Sequence, residues 1–467
     1  MMRNKNHHFL LICFPSQGYI NPSLQLAIRL ANLGVAVTFA TTVTASRRMN
    51  KTEPPPSPSP RLSFATFSDG FDDETLKPNA NDLAHYFSEL NRCGSQSMTD
   101  LITSSAHNGR PITFVIYSLL LSWAADVAST FGIASSLFFA QPATVLALYY
   151  YYFHGHGDAI STQLLQKDPS FSIQLPGLPS LTARDFPSFF SPSGPLAFFI
   201  PLMREQLEFL GRQGRARVLV NTFHTLEGEA LGAIGELKMV AVGPLIQRGS
   251  IRGDLFQVTS EDYIEWLSSK AESSVIYISF GSICVLSDQQ EEEIVGALFE
   301  CGYTFLWVIR SKENEDQEEE DERIMKKFGG KGKIVRWCDQ VQVLSHPSLG
   351  CFVTHCGWNS TLESLVYGVL MVGFPQQVDQ ATNAKLVEDV WRTGVRVKPN
   401  AKGIVERGEI RRCLDIVMGD TSLEKRGEME RNVKKWKELA REAIGEGGSS
   451  DVNLESFVME IDGDGCI

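Results

Sequence analysis

Three features that would place the chain in a specialised class are missing: a long apolar run, a cysteine framework and an excess of basic residues. The apolar run near the N-terminus extends only from Phe9 to Phe14, which is too short for a signal peptide or a membrane span. Nine cysteines, an odd number without framework spacing, are typical of reduced thiols. With 43 Lys and Arg against 55 Asp and Glu, nothing indicates a nucleic-acid partner. We expect a cytoplasmic protein with no membrane span.

The acidic excess is local. Residues 312–323 hold eight acids and two bases, which supply −6 of the net charge of −12. Such a run is typical of a solvated loop. The rest of the composition, 43% hydrophobic and 21% charged residues, describes a soluble globular protein. A length of 467 residues exceeds one ordinary core and favours two domains.

The N-terminal half begins with a β-α-β pattern. A buried strand is predicted at His8–Phe14 and another at Val35–Ala40. Between them Asn21 is a candidate N-cap, with Pro22 at the first helical position. Because the first strand leads into Gly18-x-x-x-Pro22, it lacks the G-x-G-x-x-G that an NAD-dependent oxidoreductase would carry. Further strands are predicted at 113–117, 137–139 and 218–222.

The second half repeats the pattern, with predicted strands at 274–282, 304–309, 333–335, 351–354 and 369–374. Between the strand at 351–354 and the next helix lies the turn His355–Ser360, which contains Gly357. A helix N-terminus of this kind attracts phosphate, because free backbone N–H groups and the positive end of the helix dipole point there. Two halves built from β-α units predict an α/β fold with two parallel sheets.

The stretch Trp337–Gln380 closely resembles the 44-residue signature box of plant secondary-product glycosyltransferases. The positions in register are Trp337, Gln340, His346, Pro347, the run His355–Ser360, Glu363, Gly368, Pro375, Asp379 and Gln380. The similarity extends over nearly the whole chain, which looks most like the subgroup of flavonoid and anthocyanin 5-O-glucosyltransferases. It implies the GT-B fold, with two facing Rossmann-like domains and a C-terminal crossover helix. The expected segments are an acceptor domain at 1–243, a linker at 244–262, a donor domain at 263–450 and a final helix at 451–467.

The resemblance also implies an inverting transfer of glucose from UDP-glucose to a flavonoid-like or anthocyanin-like phenolic. The residues expected at the donor are Trp337 and Cys338 for uracil, Gln340 and Glu363 for ribose, Ser282, His355, Asn359 and Ser360 for the diphosphate, and Trp358, Asp379 and Gln380 for the sugar. No metal and no further cofactor are expected, and the chain is expected to be a monomer.

Two simpler interpretations of these residues stay open. Glu363 has capping-box spacing from Ser360 and could serve only the helix start. His355 with Cys338, Cys351 and Cys356 could indicate zinc, although Cys351 and Cys356 would face opposite ways if both lay on one strand. The complete register of the box favours the donor site over both.

The chain departs from the family at the general base, usually a histidine directly after glycine in the turn that follows the first strand. Tyr19 occupies that position, and Ser118 occupies the position of the acid that orients the base. An unperturbed phenol, with a pKa of about 10, accepts a proton poorly at neutral pH. Three explanations are open. The acceptor arrives already ionised, as an acidic phenol or as a carboxylate that gives a glucosyl ester; His154 or His156 supplies the base; or the chain binds UDP-sugar with weak or no catalysis.

Two further features concern the sugars and the acceptor. Gln377 stands where the family usually has Trp, which bears on sugar positioning. Aromatic residues concentrate in the middle of the chain, at 149–153, 189–190 and 198–199. They fit either ordinary core packing or an apolar pocket for a flat acceptor.

Overall fold

The structure is a computed structural model. It describes residues 7–50, 59–73, 82–166, 172–191, 194, 196, 198–213, 216–246, 255, 262–309, 330–419 and 423–464. The acidic run 312–323 lies outside these residues, as does most of the predicted linker 244–262.

The chain forms two compact units. The first contains Met1–Ala183, Phe189–Phe256 and Glu442–Ile467, and the second contains Arg184–Ser188 and Gln257–Arg441. The short segment Arg184–Ser188 therefore belongs to the second unit although the chain around it belongs to the first. The segment boundaries expected from the sequence stay predictions.

The first unit is built on a seven-stranded parallel sheet of order β3-β2-β1-β4-β5-β6-β7. Its strands are β1 His8–Ile12, β2 Ala36–Thr42, β3 Leu62–Phe67, β4 Phe114–Ser118, β5 Ala134–Phe139, β6 Arg217–Val220 and β7 Lys238–Ala241. Every residue of β1 and of β4 is buried. Continuous burial is expected of central parallel strands, because helices cover both faces of the sheet.

Helices connect these strands and close the unit. They are α1 Gln17–Asn32, α2 Val43–Asn50, α3 Leu83–His107, α4 Trp123–Thr130, α5 Ala143–Tyr151, α6 Gly157–Gln166, α7 Phe199–Arg212 and α8 His224–Leu231. A π-helical turn at Tyr152–His156 joins α5 to α6, and a 3₁₀ turn lies at Ser188–Phe190.

The second unit has a six-stranded sheet of order β10-β9-β8-β11-β12-β13, again parallel. Its strands are β8 Val275–Ser279, β9 Thr304–Val308, β10 Gly332–Val335, β11 Leu349–Thr354, β12 Leu370–Gly373 and β13 Gly394–Arg396. Its helices are α9 Asp262–Ser268, α10 Asp288–Cys301, α11 Gln340–Leu344, α12 Trp358–Tyr367, α13 Gln380–Lys385, α14 Arg407–Met418 and α15 Leu423–Ala443. A 3₁₀ turn at Ala183–Asp185 begins in the first unit and ends in the second.

The last helix, α16 at Ser449–Asp464, belongs to the first unit. Leu454 and Phe457 are buried in the same core cluster as Phe114, and the Phe457 and Phe114 rings lie 5.7 Å apart. Glu460 forms ion pairs with Arg217, at 3.0 Å, and Lys238, at 2.7 Å. These contacts fix α16 against the sheet that carries β6 and β7. Among the described residues, every helix is too short or too polar to cross a membrane.

The start of α1 differs from the prediction. Ser16, not Asn21, is the N-cap residue, and Pro22 lies inside the helix. The chain has completed one helical turn before it reaches Pro22, so the missing proline N–H removes a single bond close to the helix start. The earlier start matters because it places Tyr19 on the first turn of the helix.

Candidate active site

The sheet of the second unit has a topological switch point between β8 and β11. Strands β9 and β10 are added on one side of β8, and β11, β12 and β13 are added on the other. Open α/β sheets bind ligands outside the carboxyl ends of their strands at such a switch point. Ser279 pairs with Thr354 at this edge. The loop that carries Gly281 and Ser282 therefore emerges beside the turn that begins at His355.

His355 lies between two glycines of these loops. A Cβ at Gly281 would come within 2.6 Å of its Nε2, and one at Gly357 within 2.4 Å. Gly281 also has a φ of 76°, which side chains other than glycine rarely adopt. Burial lowers the pKa of His355 to about 4, so the ring is neutral near pH 7. A neutral imidazole at the start of α12 can donate one N–H to a diphosphate oxygen.

Gln340, Ser360 and Glu363 form one cluster. The Gln340 Nε2 donates to Ser360 Oγ at 2.9 Å and to Glu363 Oε2 at 2.6 Å. The capping interpretation of Ser360 and Glu363 is wrong, because α12 begins at Trp358 with Gly357 as its N-cap and no side-chain cap. The helix starts earlier than predicted, so both residues lie within its first turns and their side chains meet Gln340. An amide and a carboxylate side by side provide the acceptors and donors that paired ribose hydroxyls need.

The residues expected at uracil follow β10. Trp337 is half-buried, and the Cys338 thiol is buried with its sulfur 3.4 Å from the Tyr277 hydroxyl. Asp339 starts α11, where its Oδ1 accepts from the Gln342 N–H at 3.1 Å. Among the described residues no group of three His, Cys, Asp or Glu side chains is arranged to hold a metal ion.

The residues expected at the sugar occupy buried positions. Asp379 is 4% exposed, and its Oδ2 accepts from Asn383 Nδ2 at 3.0 Å. The same Asn383 amide donates to the carbonyl of Cys356 at 2.9 Å, which links Asp379 to the turn after β11. Gln380 is 6% exposed, and its Oε1 accepts from the N–H groups of Gln376 and Gln377. Trp358 is buried beside Trp391, while Asn359 is half-buried.

The first unit has its own switch point, between β1 and β4. Ser118 ends β4, is fully buried, and accepts a hydrogen bond from the Phe14 N–H at 2.8 Å. Tyr19 is half-exposed, and its ring packs edge-on against Phe14 at 5.6 Å. Both departures from the family pattern therefore meet at Phe14, which sequence reasoning had not singled out. Its position just after the first strand, at the carboxyl edge of the sheet, is the signal that could have found it.

Comparison with known proteins decides the family. The family model described as UDP-glucoronosyl and UDP-glucosyl transferase matches residues 247–427. Mogroside I-E synthase of Siraitia grosvenorii is 68% identical over 96% of this chain and 93% of its own length. The chain belongs to the UDP-glycosyltransferase family. An anthocyanidin 3-O-glucoside 5-O-glucosyltransferase of Verbena hybrida is 47% identical over 98% of this chain and 99% of that protein.

Solved structures confirm the predicted GT-B class of α/β fold. The crystal structure of Os79 from O. sativa in complex with U2F and trichothecene matches with a TM-score of 0.82. It is 32% identical, and the match covers 97% of this chain and 100% of that one. The protein is a UDP-glycosyltransferase of plant secondary metabolism.

In this glycosyltransferase, a series of contacting aromatic rings begins at Phe14, beside the switch point of the first unit, and includes residues from the aromatic-rich middle of the sequence. Phe14 stacks on Phe87 at 6.1 Å, and Phe87 contacts Phe198 and Phe199 at 5.9 Å each. The phenylalanines and tyrosines that touch ring to ring, here called the aromatic cluster, are Phe14, Tyr19, Phe71, Tyr86, Phe87, Tyr149, Tyr152, Phe153, Phe189, Phe190, Phe198 and Phe199. Several members are half-exposed, so the cluster is both core and surface.

The two histidines considered as substitute bases lie at the π-helical turn. His154 is exposed, stacks on Tyr150 at 3.9 Å, and has its Nδ1 2.8 Å from the Tyr150 carbonyl oxygen. His156 packs edge-on against Tyr151 at 5.4 Å. Both rings contact tyrosines at the end of α5, an arrangement that favours a packing role for both over a role as base.

Proposed function

We propose that this UDP-glycosyltransferase transfers glucose from UDP-glucose, with inversion at C1, to the hydroxyl of a flavonoid-like or anthocyanin-like phenolic. The observation that carries the proposal is that Tyr19, at the position of the usual histidine base, belongs to the partly exposed aromatic cluster. A site without a basic histidine favours an acceptor that ionises easily, and rings favour a flat aromatic one.

The proposed donor contacts follow from the second unit. Trp337 stacks on uracil, and Gln340 with Glu363 holds the ribose hydroxyls. The N-terminus of α12 and the neutral His355 ring receive the diphosphate, since free N–H groups and the helix dipole stabilise negative charge there. Asp379 and Gln380 bind glucose hydroxyls. No cofactor beyond the donor substrate is proposed.

In the proposed reaction, the acceptor oxygen attacks C1 of glucose from the face opposite UDP. The C1–O bond to the diphosphate breaks, UDP leaves with the bonding electrons, and the acceptor proton passes to solvent or is already absent. Tyr19 lies beside the reacting oxygen and positions it by contact and hydrogen bonding. Buried Ser118 acts only through Phe14, whose N–H it holds.

A turnover assay with graded acceptors tests the proposal. The panel contains phenolics of different pKa, matched aliphatic alcohols and aromatic carboxylates, each with UDP-glucose. We expect kcat/KM to rise as the acceptor pKa falls, and NMR of the product to show an inverted anomeric centre. UDP binding without turnover for any acceptor would contradict the proposal and favour a UDP-sugar-binding protein.

A second candidate, formation of glucosyl esters, is supported by the same missing base. A carboxylate is fully ionised at neutral pH and needs positioning alone. In the panel above, aromatic carboxylates that outperform phenols of the same shape would favour this candidate.

We further propose a monomeric enzyme located in the cytoplasm. The eight described cysteines are all free, a state that a reducing compartment maintains. Light scattering of the purified chain and localisation of a fluorescent fusion test the two statements separately.

A further inference from the structure

The turn that carries the proposed sugar residues contains a strained position. Val378 has a φ of 62°, in the left-handed region. A β-branched residue rarely adopts this conformation, because its side chain collides with the backbone. Such a residue persists only where its surroundings enforce it. Val378 directly precedes Asp379, so whatever enforces its conformation also sets the direction of the sugar-binding side chain.

Ser188, 190 residues earlier in the chain, provides that constraint. Its backbone N–H donates to the Val378 carbonyl at 2.8 Å, and its Oγ accepts from the Val378 N–H at 2.7 Å. Both backbone polar groups of the strained residue Val378 are therefore satisfied by Ser188. Helix α13, which begins at Gln380, supplies neither bond.

Asp185 anchors the segment that carries Ser188. The Asp185 carboxylate is 1% exposed, and its Oδ1 lies 2.8 Å from Arg396 Nη2, which is 4% exposed. The Asp185 carbonyl accepts from Thr382 Oγ1 at 2.7 Å. Arg396 also approaches Glu388, whose Oε2 lies 3.6 Å from its Nε. Through these contacts Asp185 ties its segment to Arg396 at the end of β13 and to Thr382 on α13.

We propose that Ser188 and Asp185 are positioning residues for the donor sugar, and that they hold the turn 376–380 in the conformation that presents Asp379 to glucose. The proposal rests on the proposed use of UDP-glucose. It assigns a role in sugar recognition to the segment Arg184–Ser188, which lies far outside the box in sequence. The nucleotide contacts at Trp337, Gln340 and Glu363 do not depend on this segment.

The test is Ser188→Ala, with Ser188→Thr as the variant that keeps the hydroxyl and Ser191→Ala as a control in the same stretch. Calorimetry measures the Kd of UDP and of UDP-glucose, and kinetics measure kcat/KM for UDP-glucose and UDP-galactose. Because the half-buried Val378 N–H loses its acceptor, we expect kcat/KM for UDP-glucose to fall about tenfold in Ser188→Ala. The preference over UDP-galactose should fall with it, while the Kd of UDP stays within about twofold.

Ser188→Thr and Ser191→Ala should keep the parent values. Asp185→Asn should shift donor preference in the same direction; if that variant does not fold, Ser188→Ala decides. Unchanged donor kinetics in Ser188→Ala would overturn the proposal, as would equal losses of affinity for UDP and UDP-glucose. Failure of the proposed function is distinguishable, because then the parent protein itself transfers no glucose.

Discussion

The two units have parallel sheets of similar topology, but different side chains lie at the switch points of the two sheets. In each, the strand order reverses once, between β1 and β4 in the first unit and between β8 and β11 in the second. The second switch point carries His355, glycines and a helix N-terminus, all suited to an anionic ligand. The first carries Phe14, Tyr19 and the buried hydroxyl of Ser118, which suit a ring. One topology therefore offers two candidate sites, which differ in the side chains at the strand ends.

The largest expected effect concerns the missing base at the first switch point. Tyr19→His should raise kcat for weakly acidic alcohols by roughly 100-fold, the lower end of general-base contributions, because Ser118 cannot orient the imidazole as a carboxylate would. Acceptors already ionised at the assay pH should gain little. Tyr19→Phe is the matched control and should gain nothing. Equal turnover of parent and Tyr19→His across the pKa series would mean that deprotonation does not limit the reaction.

The next prediction concerns Trp337 of the second unit, which we propose stacks on the uracil of UDP. Trp337→Ala should weaken UDP binding by roughly 1–3 kcal/mol, the scale of one base stacked on a ring. Trp436→Ala removes a half-buried indole on α15 and serves as the control. Calorimetry with UDP alone measures both. A Kd unchanged by Trp337→Ala would remove the uracil assignment.

His355 predicts a pH effect on stability. Its pKa is about 4 in the folded chain and about 6.5 when unfolded. The unfolded chain therefore binds the proton first, and stability contributed by the neutral ring is lost as pH falls from about 6.5 to about 4. We expect a loss of roughly 1–3 kcal/mol at acid pH, because partial exposure reduces the full effect. Urea titrations at several pH values should show a flatter profile for His355→Gln, and an unchanged profile for exposed His154→Gln.

The smallest effect on turnover is expected at Ser118. Ser118→Ala removes the acceptor of the Phe14 N–H, which should lower the free energy of unfolding by about 1–3 kcal/mol. Exposed Ser129 on α4 is the control. Since we propose that Ser118 acts only through Phe14, kcat should fall no more than the displacement of Phe14 requires. A loss of several hundredfold in kcat with normal stability would instead make Ser118 a catalytic residue.

The sequence alone determined the α/β class and the positions of the strands around the box along the chain, and it supplied the residues proposed at the donor. These follow from buried β-branched runs and from a fixed 44-residue spacing, both of which are local. The helix starts predicted from the sequence were wrong at two places. Asn21 and Ser360 have side chains typical of N-caps, yet both lie inside helices. Cap propensity is weak, and contacts such as that of Gln340 with Ser360 outweigh it.

Only the tertiary structure decided what the side chains touch. Nothing in the sequence near Ser188 indicates that it meets Val378, because their hydrogen bonds join residues 190 positions apart. Gly281 and Gly357 acquire their importance from the His355 ring that fills the space between them. Likewise Ser118 is a buried hydroxyl that holds Phe14, a role that depends on β1 lying beside β4. Spacing along the chain fixes local elements, whereas contacts between distant segments exist only after the sheets have formed.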